Sequence, residues 1–462
     1  MFVLSIVVTF GILICTAYVA YKRTLDALHP AMFLVPMLMY VYVARPATYA
    51  INESIGVLFR SEPQLLLAQF IQILGLSCFC FGILRGTPFS LSRPNRSLSG
   101  LPEVSRHKLL GLALVLGGIG VIGFLISIFT VGGFDVAYSQ AKGGGYTGSG
   151  YVRELPHLTI PAIALLFLAR KKQGFALEDW VLLALFCFPF AVSGILGTRR
   201  GPLFMVLGAV IFSHMLFSRR RISLTKMLPA VGLMGISVLF VFAHRSVIYL
   251  NSDFEFSLDS LAEVIAPSKR VSRDRIDSSS VWLISTATIV AANQSHVHHW
   301  GQRWGVILFI RPIPKQLWPT KYEDVGFEWM VNGRSFEGIS PQYWYRSVGW
   351  LPPVGSAISF IADAYLELWY FYTLLLYLMG RMFAELWKRA RTLSGLWAVI
   401  YVVSAAISIF LVAQSVEAFF FRFLFISILT IAAARFAGIP IQITTAKQES
   451  PVNSSNLQQV RF

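Results

Sequence analysis

The run Leu109-Leu-Gly-Leu-Ala-Leu-Val-Leu-Gly-Gly-Ile-Gly-Val-Ile-Gly-Phe-Leu-Ile-Ser-Ile-Phe-Thr-Val131 is 23 residues long and holds no charged side chain. Wound as an α-helix at 1.5 Å per residue it reaches about 35 Å, enough to cross a hydrocarbon core of roughly 30 Å. Within it, Gly118-Ile-Gly-Val-Ile-Gly123 matches the dinucleotide-binding fingerprint letter for letter. That fingerprint needs a preceding strand and access to phosphate, and a lipid-embedded helix offers neither. Small residues that let helices approach closely explain these glycines better.

The same pattern recurs along the chain. Further apolar spans are predicted near 2–21, 31–50, 64–84, 155–169, 177–197, 202–217, 227–244, 354–379, 395–413 and 418–437, eleven in all. The composition agrees: of 462 residues, 55% are hydrophobic and 13% charged, where a soluble domain carries about 25% charged. Mean hydropathy is +0.63. These values exclude a disordered chain, a disulfide-stapled secreted scaffold and an ordinary cytosolic enzyme. The first span lacks a basic leader and a small-residue cleavage site, and so reads as a retained helix rather than a signal peptide.

A net charge of +16 raises the question of nucleic acid. The basic residues, however, sit in short clusters between apolar stretches, with no basic helix or zinc pattern beside them, so no nucleic acid is expected. Counted over alternate connections, one set of loops holds eighteen Lys and Arg and the opposite set six, namely Arg45, Arg60, Lys142, Arg153, Arg199 and Arg200. The positive-inside rule then places the amino terminus outside and the carboxyl terminus inside. The fold class expected is an all-α polytopic membrane protein with about 11 transmembrane helices and one large outer-face loop.

Four regions follow. Residues 1–244 form an N-terminal bundle of about eight spans, 245–353 the outer loop, 354–437 three C-terminal spans, and 438–462 an inner tail that is partly disordered. The outer loop carries 11 basic and 10 acidic residues with many aromatics, which predicts a folded, nearly neutral structure packed on the membrane. Two of its stretches, Val281–Ala292 and Gly305–Phe309, are apolar but too short to span, and predict amphipathic or re-entrant helices. No internal repeat is visible, which counts against an inverted-repeat transporter. Cys15, Cys78, Cys80 and Cys187 all lie in apolar runs and read as membrane-core packing. His296, His298 and His299 do not share one helical face and read as a polar interface cluster rather than a metal site. The Gly-rich run 143–150 reads as a loop, with Tyr138, Tyr146 and Tyr151 beside it for stacking on sugar.

The outer-face cations carry the functional signal. Arg199 and Arg200 break the charge trend in Gly197-Thr-Arg-Arg-Gly-Pro202, at the start of a span. A helix amino terminus with two guanidinium forks suits phosphate; lipid headgroups are the alternative target. Asp363 and Glu367 stand four apart on one helical face, and Glu417 and Arg422 lie in the last span. Ionisable groups inside a membrane face partners or a cavity, and Arg422 with Asp363 or Glu367 is one expected neutral pair. Arg245, beside His244, and Arg311 add cations on the same side. Arginines, a few carboxylates and many aromatics at an outward cavity suit a lipid-linked anionic glycan. Such a substrate must bring its own energy, as a lipid diphosphate does.

Three stretches resemble the O-antigen polymerase (Wzy-type, oligosaccharide repeat-unit polymerase) family: Gly197–Pro202, Arg311-Pro-Ile-Pro-Lys-Gln-Leu-Trp-Pro-Thr-Lys321, and Pro352-Pro-Val-Gly-Ser-Ala-Ile-Ser-Phe-Ile-Ala-Asp-Ala-Tyr365. An Arg-x10-Gly pattern found in some relatives is absent, since Trp344 stands at that distance before Gly355. The resemblance implies a glycosyltransferase of the bacterial inner membrane that needs no cofactor and no metal. It would transfer a growing glycan from polyprenyl pyrophosphate to a new lipid-linked repeat unit on the periplasmic face. A chain-length regulator and a flippase would be its partners. Under that reading Arg199, Arg200, Arg245 and Arg311 neutralise the departing diphosphate. Asp363 is the first choice of base, before Glu367 and His244. Lys321, Trp344, Tyr345, Arg346 and Arg422 would bind glycan or phosphate. A ligase that moves finished glycan to another acceptor and a transporter without chemistry are the competing readings.

Overall fold

The computed structural model describes residues 1–88, 103–139, 151–170, 174–197, 199–217, 280–311, 313, 317–332, 335–353, 356–393 and 395–439, with 229 and 232. The helices are α1 (Phe2–Thr24), α2 (Pro30–Ile51), α3 (Glu62–Gly86), α4 (Glu103–Phe129), α5 (Thr159–Arg170), α6 (Leu177–Ile195) and α7 (Arg200–Phe217). They continue with α8 (Val281–Ser295), α9 (Pro341–Val348), α10 (Ser359–Leu368), α11 (Tyr372–Thr392), α12 (Leu396–Ala413) and α13 (Val416–Phe436). Among the described residues there is no β-strand, only one bridge between Phe336 and Ile339. Eight helices there are long and apolar enough to cross a membrane. This is a helical, multi-pass membrane protein.

The exposed faces agree. On α1, Val3, Leu4, Val7, Phe10, Ile14 and Tyr18 are exposed at a helical spacing, which a soluble surface would not tolerate as one stripe. Of the cysteines, Cys80 is buried as expected, whereas Cys15 stands on this exposed face. α2 is continuous through a π-turn at Tyr40–Ala44, a local underwinding of the kind that inserts one residue into a helix.

Glycines set the tightest helix contacts. A Cβ on Gly82 of α3 would run into the Tyr377 carbonyl oxygen of α11, and one on Gly380 into the Phe79 carbonyl oxygen. The two backbones therefore touch where they cross, as small residues allow. In the fingerprint look-alike on α4, Gly120 faces Thr159, whose Cγ2 would lie 2.6 Å from an added Cβ, and Gly123 faces Leu155. These glycines pack helices, as expected.

One expected span is different in kind. In place of a single helix over 354–379, the chain forms α10, turns at Trp369 with φ of 48°, and restarts as α11. Trp369 sits in backbone that L-residues rarely adopt. α10 is buried throughout Ser359–Glu367, and α8 throughout Val281–Ala292. Both are short helices enclosed by the longer ones, tied together where Ser285 Oγ donates to the Ile358 carbonyl. Val281–Ala292 is a helix, as its apolarity predicts, but it is covered on all sides rather than amphipathic. Apart from residues 229 and 232, the expected span 227–244 lies outside the described residues, as do the tail 445–462 and the loop 143–150 with Tyr146.

At one end of the bundle, Asp26 accepts from Arg391 Nε at 2.6 Å and from Trp387 Nε1 at 2.9 Å. The Arg391 guanidinium overcomes burial and holds the Asp26 carboxyl below its usual range. His29 Nδ1 caps α2 at Ala31 N, and its Nε2 lies 2.8 Å from Thr87 Oγ1. Burial pushes His29 down to about 3, so it stays neutral.

Candidate functional site

Ionisable side chains gather in two adjoining groups. The first centres on Arg303, which follows Gly301 and is 2% exposed. Its Nε donates to Glu367 Oε1 at 2.6 Å, its Nη1 to Glu337 Oε2 at 2.7 Å, and its Nη2 to Asp363 Oδ1. Glu417 Oε2 lies 3.2 Å from Nη1. Burial alone would lower the guanidinium's pKa, but Glu417, Asp363, Glu337 and Glu367 hold it above the ordinary arginine value. An Arg fork is the side chain that can satisfy several planar carboxylates at once.

The second oxygens of Asp363 and Glu367 are committed to backbone. Asp363 Oδ2 accepts from Val416 N at 2.8 Å, at the amino terminus of α13. Glu367 Oε2 accepts from Gly301 N at 2.9 Å. Asp363 and Glu367 do share one helix face, but their partner is Arg303 rather than Arg422. Sequence reading missed Arg303 because it gave no special weight to a lone arginine among polar residues. Its signal was the position, two residues ahead of the apolar Gly305–Phe309 run, which folds as the π-turn Val306–Ile310.

The second group forms around Glu154, in the 3-10 turn Tyr151–Leu158 that leads into α5. Arg422 Nε lies 3.2 Å from Glu154 Oε2, and its Nη2 donates to Glu154 Oε1 at 3.3 Å. The same guanidinium lies over the Phe410 ring, 4.1 Å from its centroid, a cation–π contact. Arg153 and Arg311 are within electrostatic reach of both Glu154 and Arg422. Three guanidiniums thus act electrostatically on one carboxylate, and Arg422 contacts it directly. Gly201, in the first turn of α7, faces Phe410: its Cβ position is 3.7 Å from Phe410 Cε1. The amino terminus of α7, which Arg199 precedes, therefore abuts the ring beneath Arg422. Glu417, which interacts with Arg422 as well as Arg303, joins the two groups.

The expected residues divide as follows. Arg311 is exposed and belongs to the arginine group, Arg422 is half-buried at its centre, and Arg199 is half-buried at the adjoining helix end. Arg245, His244 and the side chain of Arg200 lie outside the described residues. Lys321 is not a free cation: buried, it donates to the carbonyls of Ile310 at 3.1 Å and Arg311 at 3.0 Å, and to that of Ile313. It satisfies the backbone end left by the π-turn and fixes the peptide that carries Arg311. Trp344 is fully buried against Phe336 and Trp350, a core residue rather than a glycan platform. Tyr345 and Arg346 do stand exposed on α9, with the Arg60 guanidinium 5.2 Å from the Tyr345 centroid. They lie beside α3's leading turn rather than among the arginines. Tyr138 is 3% exposed and packs on Phe134, so it is closed to sugar.

The histidines at 296–299 wedge the loop before Arg303. His298 Nδ1 lies 3.2 Å from the Tyr365 carbonyl, and His299 Nε2 2.9 Å from the Glu337 carbonyl. His299 also stacks on Trp329. Burial lowers both pKa values. Among the described residues no group of three His, Cys, Asp or Glu side chains is placed to hold a metal ion.

Chemically, the arginine group is a cluster of guanidiniums of the kind that can receive an anion, and the Arg303 group is a rigid electrostatic anchor beside it. No protein-family model, curated protein or solved structure matches this chain.

Proposed function

We propose that this protein polymerises polyprenyl-diphosphate-linked oligosaccharide repeat units at the periplasmic face of a bacterial inner membrane. The observation that carries this reading is that Arg422, in contact with Glu154, shares the electrostatic reach of that carboxylate with Arg311 and Arg153, while the α7 amino terminus abuts Phe410 beneath Arg422. A departing diphosphate develops negative charge, and preorganised guanidiniums in a partly buried site stabilise that charge strongly. Arg199 precedes the amino terminus of α7, and the N–H groups of such a helix terminus favour anions. In this reading the chain has eleven spans, its amino terminus is periplasmic, and 245–353 is the outer region that carries Arg311 and the Arg303 anchor. The count of eighteen basic residues against six supports that orientation.

The growing glycan leaves its lipid carrier and joins the terminal sugar of the incoming unit. Asp363 and Glu367 serve as anchors for Arg303 rather than as the base, because their oxygens are already taken. The test is glycan length in cells expressing the Arg199→Ala, Arg200→Ala double variant. Single repeat units on the lipid carrier support the reading; wild-type polymer at normal protein level overturns it. Accumulation of long lipid-linked polymer identifies a ligase instead.

A further inference from the structure

Against the arginine group stands a histidine with one nitrogen unused. His157 ends the turn that carries Glu154, and it is wedged between Phe190 and Phe410 with ring centroids 5.3 Å and 6.1 Å away. It is 7% exposed. Its Nδ1 lies 3.0 Å from the Glu154 carbonyl oxygen and 3.3 Å from Glu154 Oε2. Both neighbours are acceptors, so Nδ1 carries the hydrogen and Nε2 the lone pair. Among the described residues Nε2 is buried and has no hydrogen-bond partner. A buried polar atom left this way carries its full desolvation cost, which argues for a partner supplied by substrate. The same Glu154 carboxylate engages Arg422, so one acidic group orients both the ring and the guanidinium.

We propose that His157, held in one tautomer by Glu154, accepts the proton of the attacking sugar hydroxyl. This deepens the polymerase reading and rests on it. The hydroxyl oxygen of the incoming unit bonds to the anomeric carbon of the growing glycan, and its proton passes to Nε2. The bond from that carbon to the diphosphate oxygen breaks, and its electron pair leaves with the diphosphate toward Arg422, Arg153 and Arg311. The imidazolium is stabilised by Glu154 and later returns its proton to water. The geometry favours His157 over Asp363 and Glu367, whose oxygens are held by the Arg303 guanidinium and by backbone N–H groups. The charged groups near the ring are Glu154 and Arg153 from its own turn and Arg422 from α13; α6 and α12 present the uncharged Phe190 and Phe410.

The experiment uses the purified full-length protein in detergent with polyprenyl-diphosphate-linked repeat units, comparing wild type, His157→Ala, His157→Gln and Glu154→Gln. Rates are taken per folded molecule, with each melting transition recorded. The expected result is a fall in kcat of about 100-fold or more for both His157 variants, the range general-base catalysis supplies, with KM within about threefold. Added imidazole restores part of the His157→Ala rate, the acidic limb of the wild-type kcat profile disappears in both variants, and Glu154→Gln falls between. A His157→Gln enzyme with kcat within about threefold of wild type overturns the inference, as does an acidic limb that survives the substitution. Should neither variant fold, the wild-type profile decides alone, and a kcat flat toward acid overturns the inference. A wild-type protein that joins no units overturns the proposed function and this step with it; an active wild type with an unaffected variant overturns this step only.

Discussion

Arg422 and Glu154, 268 residues apart in the chain, meet through both ends of the guanidinium, with Nε 3.2 Å from Oε2 and Nη2 3.3 Å from Oε1. The pair joins the last helix to the turn before α5 and fixes the cation above Phe410. Replacing Arg422 with Lys keeps the charge and loses the fork. We expect Arg422→Lys to shorten the glycan and Arg422→Ala to lower the rate by about 100-fold or more. Gel analysis of extracted glycan, normalised to folded protein, checks both.

Arg303 answers four carboxylates, two of them fully buried. Arg303→Met leaves Asp363 and Glu367 without their counter-charge, and breaking a buried pair from one side costs about 3–5 kcal/mol. The melting transition in detergent should drop sharply. Arg303→Lys should recover little of it, because one ammonium cannot reach all four acceptors.

Gly380 and Gly118 make a matched comparison. A Cβ at Gly380 collides with the α3 backbone, whereas one at Gly118 meets nothing within 4 Å. Gly380→Val should lower the yield of folded protein and cost about 1–3 kcal/mol or more through overpacking. Gly118→Ala should be neutral or gain up to about 1 kcal/mol of helix stability. Equal melting of the two variants would contradict the crossing described.

Lys321 holds three carbonyls at the end of the π-turn. Lys321→Ala should loosen the peptide bearing Arg311, raising KM for the lipid-linked unit more than it lowers stability. Steady-state kinetics with a thermal melt separates the two effects.

The loop at His298 and His299 should respond to acid. Burial lowers both pKa values below the usual 6.5, so each ring binds a proton more readily unfolded than folded. Stability is therefore complete above pH 6.5 and declines as pH falls below it. Amide protection across residues 296–301, measured relative to the intrinsic exchange rate at each pH, should fall between neutral pH and about pH 5, and His299→Gln should weaken that response.

Much of this architecture was legible in the residues themselves. Charge-free runs such as Leu109–Val131 sit in long helices, and two glycines of the fingerprint look-alike, Gly120 and Gly123, sit at close contacts. The acidic pair Asp363 and Glu367 was visible by its four-residue spacing. Its partner was not, because Arg303 lies some sixty residues away and local periodicity says nothing about which elements meet. Lys321 and Trp344 read as site residues because charged and aromatic side chains in an outer loop suggest binding. Burial turned one into a backbone clamp and the other into core.

Composition and the spacing of apolar runs determined that the chain is a helical membrane protein, since the energy of leaving backbone groups unpaired in lipid permits little else. Which charges face one another was decided only by the folded bundle. An ion pair depends on distances of a few ångströms between remote segments, and those distances are set by how the helices pack.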